Sequence, residues 1–362
     1  MSAVGSDRVV ADGPSGEGVQ DNGGIRVERA PACPLCATPG PVLYDGLVDR
    51  SWDAPGTWSF RICPRCRHLW LDPRPVPDDI ERLYASYYTH GVERPSPLAG
   101  AGFWPRCRRG VLDACGYPGT ARDAGERLLG RAARLLPPIR EECEGIVQFV
   151  QGPPRGRILD VGCGDGTFLR IARALGWAVQ GLEPDPKAAA VARGHGIDVI
   201  ESPIERAPLP VDSFDVITMS HVIEHVPDPV SVLAAARRAL RPDGDLLVFT
   251  PNAESWGHAM FGRAWLHLDP PRHLHVFRVG NLVACAARAG LQVVSVRTTG
   301  RLHLLFDASV AIRRGRRFRL DDPTIRASVA DRVFRVTETL LVRARPDAGE
   351  EIVMRCTKRT SA

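Results

Sequence analysis

Lysine is almost missing from this chain of 362 residues: only Lys187 and Lys358 occur among its 47 basic residues. The remaining basic residues are arginines, alongside 35 glycines and 31 prolines, as in proteins from GC-rich genomes. In such a composition an arginine cluster is weak evidence for nucleic-acid binding, and the formal net charge of +5 is small. We therefore do not expect a nucleic acid as partner.

Long apolar runs are missing too. No stretch of about 18 apolar residues occurs, so the sequence predicts no membrane-spanning helix and no membrane partner. The first residues, MSAVGSDRVVADGPSGEGVQDNGG, lack the apolar core of a secretory signal, and their composition predicts a disordered tail over residues 1–30. We expect a cytoplasmic protein whose ten cysteines stay reduced or bind metal.

The rest of the chain changes pattern three times. Residues 31–90 combine paired cysteines with prolines and short apolar runs, and residues 91–145 predict a linker of amphipathic helices. From residue 146 to the end, strand-like runs such as RILDV, FDVITMS and LQVVSVRTT alternate with helical segments. A helical insertion over 301–349 precedes a last strand, EEIVMRCTKR. Alternation of this kind predicts an α/β domain with helices on both faces of a parallel sheet.

A glycine-rich loop follows the first strand of this domain. In RILDVGCGDG, Gly162, Gly164 and Gly166 stand where open α/β sheets bind ligands, and glycine lets the backbone approach a ligand closely. The loop is one residue tighter than the dinucleotide pattern G-x-G-x-x-G, and it lacks the Lys-Ser/Thr pair of a phosphate-binding P-loop. A ligand other than a pyrophosphate is therefore favoured.

Three carboxylates accompany the loop: Asp160 precedes it, Asp165 lies inside it, and Glu183 closes the second strand 17 residues after Gly166. An acid at that strand end commonly binds ribose hydroxyls, and the other two suit a ligand with a positive centre. The combination favours S-adenosylmethionine, which joins an adenosine to a sulfonium and an ammonium group. The alternative is a structural turn in an unrelated sheet.

Five motifs resemble those of class I S-adenosylmethionine-dependent methyltransferases: ILDVGCGDGTFL, GLEPD, SFDVITMSHVIEHVPDP, LRPDGDLLVFTPN and WLHLDPPRHLHVF. Within that family, the chain resembles the group with an N-terminal CPxC…CxxC segment, which is common in sugar and natural-product pathways. The resemblance covers about residues 33–90 and 146–300 and the last strand. It implies a Rossmann-like seven-strand sheet of order 3-2-1-4-5-7-6, with the seventh strand antiparallel, and S-adenosylmethionine as cofactor.

Carried over residue by residue, the resemblance places the three glycines at the methionine and ribose side of the cofactor. It places Asp160 at the amino-acid portion and Glu183 at the ribose, and Ser220 and His221 would border the sulfonium. Pro203 stands where the family usually has an aspartate near the adenine amino group. We therefore expect adenine to be recognised by backbone groups near Ile204 or by another side chain.

The histidines supply candidates for a catalytic base. A methyl acceptor at oxygen or carbon must lose a proton, for which a group of near-neutral pKa is suited. His273 and His275 lie two apart in PPRHLHVF, so in an extended segment they would share one face. The resemblance to sugar methyltransferases also points to a histidine here. We predict His273 as the base, with His275 second and His221 next, the alternative for His273 being that it only anchors a lid.

Two CxxC pairs, Cys33 with Cys36 and Cys63 with Cys66, offer the four thiolates of a structural Zn²⁺ site. The 26-residue spacer exceeds the ~15–20 residues typical of such sites, so it predicts a hairpin or insertion between the pairs. Disulfides or a degenerate site are the alternatives. A proline-rich module of this size over residues 31–90 would not easily fold without such a metal.

These observations favour a methyltransferase that acts on oxygen or carbon of a small-molecule acceptor, namely a sugar or natural-product intermediate. An RNA methyltransferase with a zinc module is one alternative, against which the low net charge counts. A non-catalytic protein that only senses the cofactor is another. Five arginines, at 313, 314, 316, 317 and 319, form the one basic cluster. They predict a solvated helix face or disordered loop or, alternatively, a clamp for a phosphorylated or nucleotide-linked substrate.

Overall fold

The computed structural model describes residues 19–84, 96–151, 156–300, 304–320, 322 and 324–358. Six short strands come first: β1 (Gln20–Asn22), β2 (Ile25–Glu28), β3 (Val42–Leu47), β4 (Trp58–Ile62), β5 (Leu69–Leu71) and β6 (Arg74–Pro75). Strands β1, β2 and β6 form one antiparallel sheet. The predicted tail over 1–30 is therefore too long, because Ile25 and Val27 are buried apolar side chains of a strand. Residues 1–18 lie outside the described residues.

The cysteine-containing segment is joined to the α/β domain by a shared sheet and a shared core. Strands β3, β4 and β5 pair with β12 (His275–Val276) in the order β12-β5-β4-β3. Trp58 and Phe60 of β4 are buried in the same apolar cluster as Trp265 and Leu274. The 26-residue spacer folds as the β3–β4 hairpin, as predicted. Residues 31–84 are thus a docked extension of the main domain.

The segment predicted as a helical linker contains three helices among its described residues: α1 (Phe103–Ala114), α2 (Ala124–Ala133) and α3 (Pro137–Ile146). Asp123 caps α2 by accepting a hydrogen bond from the Glu126 amide, and two prolines start α3. Their buried side chains pack against Ile171 of α4 (Thr167–Ala174). The three helices therefore pack on α4, which itself covers one face of the main sheet.

The main sheet confirms the predicted strand order. Its strands are β7 (Arg157–Val161), β8 (Ala178–Leu182), β9 (Val199–Ile200), β10 (Phe214–Ser220), β11 (Leu240–Pro251), β13 (Leu291–Thr299) and β14 (Glu351–Lys358). They run in the order β9-β8-β7-β10-β11-β14-β13, which is 3-2-1-4-5-7-6 when the strands of this sheet are numbered alone. Strand β14 is antiparallel to both neighbours, and β7 to β11 are parallel.

Helices cover both faces of the sheet. On one face lie α4 and α5 (Pro186–Gly194), and on the other lie α6 (Pro229–Ala239) and α8 (Val279–Arg288). The remaining helices are α7 (Trp256–Phe261), α9 (Leu305–Arg313) and α10 (Val329–Ala344), the last two in the predicted insertion. Asp185 and Asp228 cap α5 and α6, each followed by proline at the first helical position. Among the described residues, no helix is both long and apolar enough to cross a bilayer.

Candidate active site

The glycine loop leaves the carboxyl end of β7, which lies between β8 and β10 where the strand order reverses. Gly162 has φ 69°, and a Cβ built there would lie 2.5 Å from Cγ2 of Val222. Gly166 has φ 77° and is the N-cap residue of α4. Any larger side chain at Gly162 would meet both backbone strain and a steric contact. The loop therefore keeps a Cβ-free surface at the switch point of the sheet, where such folds bind a ligand.

Glu183 holds the loop in place. Its Oε2 accepts a hydrogen bond from the Gly164 amide at 2.9 Å, and its Oε1 accepts one from the Asp185 amide at 3.0 Å. Asp165 accepts a hydrogen bond from the Thr167 amide at 2.9 Å at the start of α4. Asp165 and Glu183, two of the acids predicted from the sequence, thus both fix the backbone of the glycine loop or of the turn that follows it.

Asp160 is a buried acid beside this loop. Its Oδ1 accepts a hydrogen bond from the Thr218 hydroxyl at 2.6 Å, and burial raises the pKa of Asp160 to about 7. A buried carboxyl without a cationic partner is costly to ionise, and a ligand ammonium group would offset that cost. The residues at this sheet edge therefore fit S-adenosylmethionine: a glycine cradle, a carboxylate at the ribose position and a buried acid.

The other predicted cofactor residues lie at the same edge. Ser220 is the last residue of β10, and His221 follows it with φ 54°. Ile204 lies just after β9, but its side chain is buried in the core cluster that also contains Leu182. Only its backbone is therefore placed to face a ligand. Pro203 has no amide proton to contribute.

His221 lies between two buried carboxylates. Its Nδ1 is 3.1 Å from Oε1 of Glu224, and its Nε2 is 3.0 Å from Oε1 of Glu351. Burial alone would lower the pKa of His221, but these two partners raise it to about 9. The imidazole is therefore protonated at neutral pH. An imidazolium has no lone pair to accept a proton, so these contacts count against His221 as the base, and its role stays a prediction.

His273 is held by a main-chain carbonyl. Its Nδ1 lies 2.8 Å from the His267 carbonyl oxygen, so Nδ1 carries the proton and donates it. In the neutral ring Nε2 is then the acceptor atom, and it lies 4.0 Å from Oε1 of Glu224 and 3.9 Å from Oδ2 of Asp269. A proton received at Nε2 would be stabilised by both carboxylates. The geometry suits proton acceptance, and the role of His273 stays a prediction.

His275 lies apart from this group. Its Nδ1 is 3.0 Å from Nε2 of His68, at the contact between β12 and β5, and both rings are buried. Residues 271–274 form turns and a bend, and the strand begins only at His275. The expectation that His273 and His275 share a face is therefore wrong, because the segment is not extended at His273. His275 is part of the docking contact.

Glu224, His225 and His273 form a compact group that the sequence did not single out as a unit. Their ligand-type atoms lie within 4.8 Å of one another, close enough to hold a divalent cation or to relay a proton. Nδ1 of His225 lies 3.0 Å from the Arg272 carbonyl, and the Thr250 hydroxyl donates to Oε2 of Glu224. Burial and the neighbouring His273 lower the pKa of His225 to about 4, so this ring is neutral.

Glu224, Asp269 and Glu351 are the site residues that the sequence analysis missed. Each lies in or beside a motif that was quoted for other residues: IEH, LDPP and GEEIV. An isolated acid in a loop is usually solvated, so no pattern distinguished these three. These three acids share only their place in the chain. Each lies next to a strand or turn at the carboxyl edge of the sheet.

The four predicted cysteines come together. Sγ–Sγ distances are 3.6 Å for Cys33–Cys66, 3.5 Å for Cys36–Cys63 and 3.6 Å for Cys36–Cys66. These distances exclude disulfide bonds, and all four cysteines are free. Zn–S bonds of about 2.3 Å in a tetrahedron would place sulfurs about 3.8 Å apart. The set therefore fits a tetrahedral metal.

The two cysteine pairs repeat one backbone geometry. Ala37 and Arg67, each directly after the second cysteine of its pair, have φ of 57° and 61°. Their amides donate to the carbonyl oxygens of Cys33 and Cys63. Two equivalent turns facing each other are what four-cysteine metal sites require. The cluster also packs against Trp70 of β5, which ties it to the shared sheet.

All five arginines of the cluster are exposed, as predicted for a solvated face, and three of them also contact neighbouring side chains. The Arg313 guanidinium lies 4.7 Å from the Phe261 ring centre, and that of Arg319 lies 5.0 Å from the Trp52 ring centre. Arg317 pairs with Asp53 at 3.0 Å. The segment after α9 therefore contacts the N-terminal hairpin region.

Comparisons with known proteins agree with this geometry. A family described as "Methyltransferase domain" matches residues 131–296. "Ubiquinone biosynthesis O-methyltransferase" from Ralstonia nicotianae is 32% identical over 176 residues, which are 42% of this chain and 73% of the relative. The protein of that name from Hahella chejuensis is 36% identical over 134 residues, 34% of this chain and 56% of the relative.

The matches to several of these relatives are partial. The chain spans 56% of the Hahella chejuensis protein and 64% of a Xanthomonas oryzae protein of the same name. Among solved structures, an S-adenosylmethionine-dependent methyltransferase from Mesorhizobium loti has a TM-score of 0.41 at 19% identity, covering 60% of this chain and 97% of the other. A score of this size adds nothing to the fold described above.

Proposed function

Because the chain belongs to the class I S-adenosylmethionine-dependent methyltransferases, we propose that it transfers a methyl group from S-adenosylmethionine to a small-molecule acceptor. The single observation that carries this proposal is the contact between Glu183 and the Gly164 amide, which couples the predicted ribose-binding acid to the glycine loop. Both flank a buried Asp160 at the switch point of the sheet.

The proposed binding roles follow the contacts. Gly162, Gly164 and Gly166 give the cofactor a surface without side chains, and Glu183 accepts hydrogen bonds from its ribose hydroxyls. The buried Asp160 attracts its ammonium group. When bound, the cofactor supplies a methyl group already activated by a positive sulfur, so the protein need only align and deprotonate the acceptor.

The acceptor atom is proposed to be oxygen. The curated relatives that match this chain are named O-methyltransferases, and a hydroxyl acceptor must lose a proton, for which Nε2 of His273 is suitably placed. Glu224 and Asp269 would stabilise the resulting imidazolium. Methylation at carbon would make the same demand on His273. A sugar or natural-product intermediate remains the predicted class of acceptor.

Zinc is proposed as the metal of the four-cysteine cluster. Four thiolates leave no open coordination position, so the ion would be structural. It would fix the two cysteine turns and, through Trp70 and β5, the strand pairing with β12. Cytoplasmic localisation stays a prediction, and it is the reducing environment that would keep these thiols available to the metal.

Calorimetry with S-adenosylmethionine tests the proposal. Glu183→Ala removes the acceptor of the Gly164 amide and of the ribose hydroxyls, so affinity should fall by ~1–3 kcal/mol. Glu183→Gln, which keeps one acceptor oxygen, should lose less. As a control, Asp243→Ala changes an exposed acid near the amino-terminal end of β11, away from the glycine loop, and should bind like wild type. Equal affinity of wild type and Glu183→Ala would overturn the assignment.

A further inference from the structure

A cleft of about 350 Å³ lies between the N-terminal hairpin region, the segment after α7 and the end of α9. Its volume is in the range of small-molecule sites. The floor is apolar and is formed by Phe261, Ala264, Trp265, Leu266 and Leu268. Three arginines line it as well: Arg50, Arg263 and Arg313. The cleft thus combines a surface for an apolar ring with a cluster of guanidinium groups.

The three arginines are held by main-chain oxygens. Each donates to a main-chain carbonyl: Arg50 to Gly315, Arg263 to Asp45, and Arg313 to Met260. Within the described part of the chain, none of the three forms an ion pair with a carboxylate. Main-chain contacts of this kind hold the guanidinium groups in place while leaving donors for a ligand.

The two acids that line the cleft are already engaged. Asp49 and Asp269 both pair with Arg272, whose guanidinium is fully buried. Asp49 also accepts hydrogen bonds from the amides of Ser51, Trp52 and Ala54. These carboxylates therefore point to the interior of the protein and do not cancel the charge of the three cleft arginines.

The wall of the cleft includes a residue that contacts the proposed proton acceptor. Asp269 lines the cleft, and Oδ2 of Asp269 lies 3.9 Å from Nε2 of His273. His267, two residues earlier, stacks with His221 at a ring separation of 6.3 Å, at the end of β10. The segment from Trp265 to Asp269 therefore connects the wall of the cleft to the edge that holds the proposed methyl donor.

We propose that this cleft binds the methyl acceptor, and that Arg50, Arg263 and Arg313 hold a phosphate or carboxylate group on it while its ring lies on the apolar floor. The proposal rests on the proposed methyltransferase function and adds the class of acceptor, an organic anion. Guanidinium groups suit it because they form paired, charge-assisted hydrogen bonds with anionic oxygens.

Calorimetry with two probes tests whether the cleft binds an anion. Inorganic pyrophosphate represents an acceptor with a phosphate group, and 4-hydroxybenzoate represents an acceptor with a carboxylate group. The wild type should bind at least one of them, and whichever binds identifies the anion. The double variant Arg263→Gln/Arg313→Gln should weaken that probe at least tenfold, whereas Arg313→Lys should lose less because it keeps the charge. Arg314→Gln, a neighbouring exposed arginine outside the cleft, should stay within twofold of wild type.

The same protein samples are titrated with S-adenosylmethionine. Unchanged cofactor affinity in the arginine variants would show that they fold and that only the anion site is altered. If neither probe binds, or if Arg314→Gln weakens binding as much as the double variant, the cleft is not an anion site and the proposed methyltransferase function still stands. If the wild type fails to bind S-adenosylmethionine, the proposed function and this inference are both overturned.

Discussion

His273 is the residue at which the proposed chemistry can be separated from simple anchoring. Its Nδ1 donates to the His267 carbonyl, and this contact alone could hold the segment in place. Proton acceptance would instead use Nε2, which faces Glu224 and Asp269. Because the two roles use different ring atoms, one substitution can remove the second and keep the first.

We expect His273→Asn to lower kcat for methyl transfer by about 100- to 10,000-fold, since asparagine can still donate to the His267 carbonyl but cannot accept the proton. His273→Ala should lower kcat by a similar factor, and both variants should bind S-adenosylmethionine as the wild type does. Turnover is measured with labelled methyl donor between pH 6 and 9. Near-wild-type turnover in His273→Asn would leave His273 an anchor only.

At this scale the sequence predicted residue types better than residue contacts. The glycines, Asp160 and Glu183 were predictable because a strand end fixes their position. The partners of the base candidates were not predictable, since the turn over residues 271–274 sends His273 and His275 to different partners. No spacing rule foresees that Glu351, 130 residues after His221, would hold His221 protonated.

Helix α10 and the start of β14 form an acidic contact inside the protein. Oε1 of Glu338 accepts a hydrogen bond from the Glu350 amide at 2.6 Å, and both side chains are buried. Burial and the neighbouring Glu350 raise the pKa of Glu338, and burial raises that of Glu350 to about 7. Glu350 also accepts from the Trp265 indole, which lines the cleft.

The sign of the resulting pH dependence follows from these directions. Both carboxyl groups have folded-state pKa values above their unfolded values, so the folded protein binds more protons above about pH 4 and loses stability as pH rises through the raised values. Glu338→Gln keeps an oxygen for the Glu350 amide and removes one charge. We expect it to raise the free energy of unfolding at pH 9 by at least ~1 kcal/mol and to change it less at pH 6.

Denaturant unfolding at pH 6, 7.5 and 9 measures this effect. Glu205→Gln, at an exposed loop position, is the control and should follow the wild type at each pH. A Glu338→Gln difference that does not grow with pH would contradict the argument.

The ends of β7, β10 and β13 agree with the sequence prediction because apolar periodicity marks these strands. The contact between Glu338 and Glu350 joins a helix to a distant strand, so no local sequence pattern predicts it.

On the scale of the whole molecule, the cysteine cluster and the proposed active site are connected by one strand pair. The knuckle of Cys63 and Cys66 leads into β5, and β5 pairs with β12. Leu274 and His275, at the start of β12, donate their amides to the Glu224 carbonyl at 2.8 and 3.1 Å. The sequence analysis predicted a separate module for the four cysteines. It did not predict the sheet that this segment shares with the main domain, because β12 contributes only two residues, too few to be recognised as a strand.

The glycine loop belongs to a different part of the sheet. It follows β7 and is held by Glu183 directly after β8, and neither strand pairs with β5 or β12. Loss of the metal should therefore reach His273 and the cleft through β12 while leaving the cofactor edge in place. The proposed chemistry and the proposed cofactor binding thus differ in their dependence on the cysteine cluster.

We therefore predict that the purified protein contains one zinc per chain and that Cys63→Ser loses it. Cys63 is fully buried and its Sγ lies 3.5 Å from that of Cys36, so serine leaves the set one thiolate short. The variant should unfold at a lower temperature and lose at least tenfold in methyl transfer, because the segment around His273 is no longer held. Its affinity for S-adenosylmethionine should stay within about twofold of the wild-type value.

The matched control is Cys115→Ser, at a free cysteine outside the cluster, which should keep both metal and turnover. Metal analysis measures the zinc content and calorimetry measures the cofactor affinity of the same samples. A wild-type protein that is folded and active without zinc would refute the predicted link between the cysteine cluster and the active site.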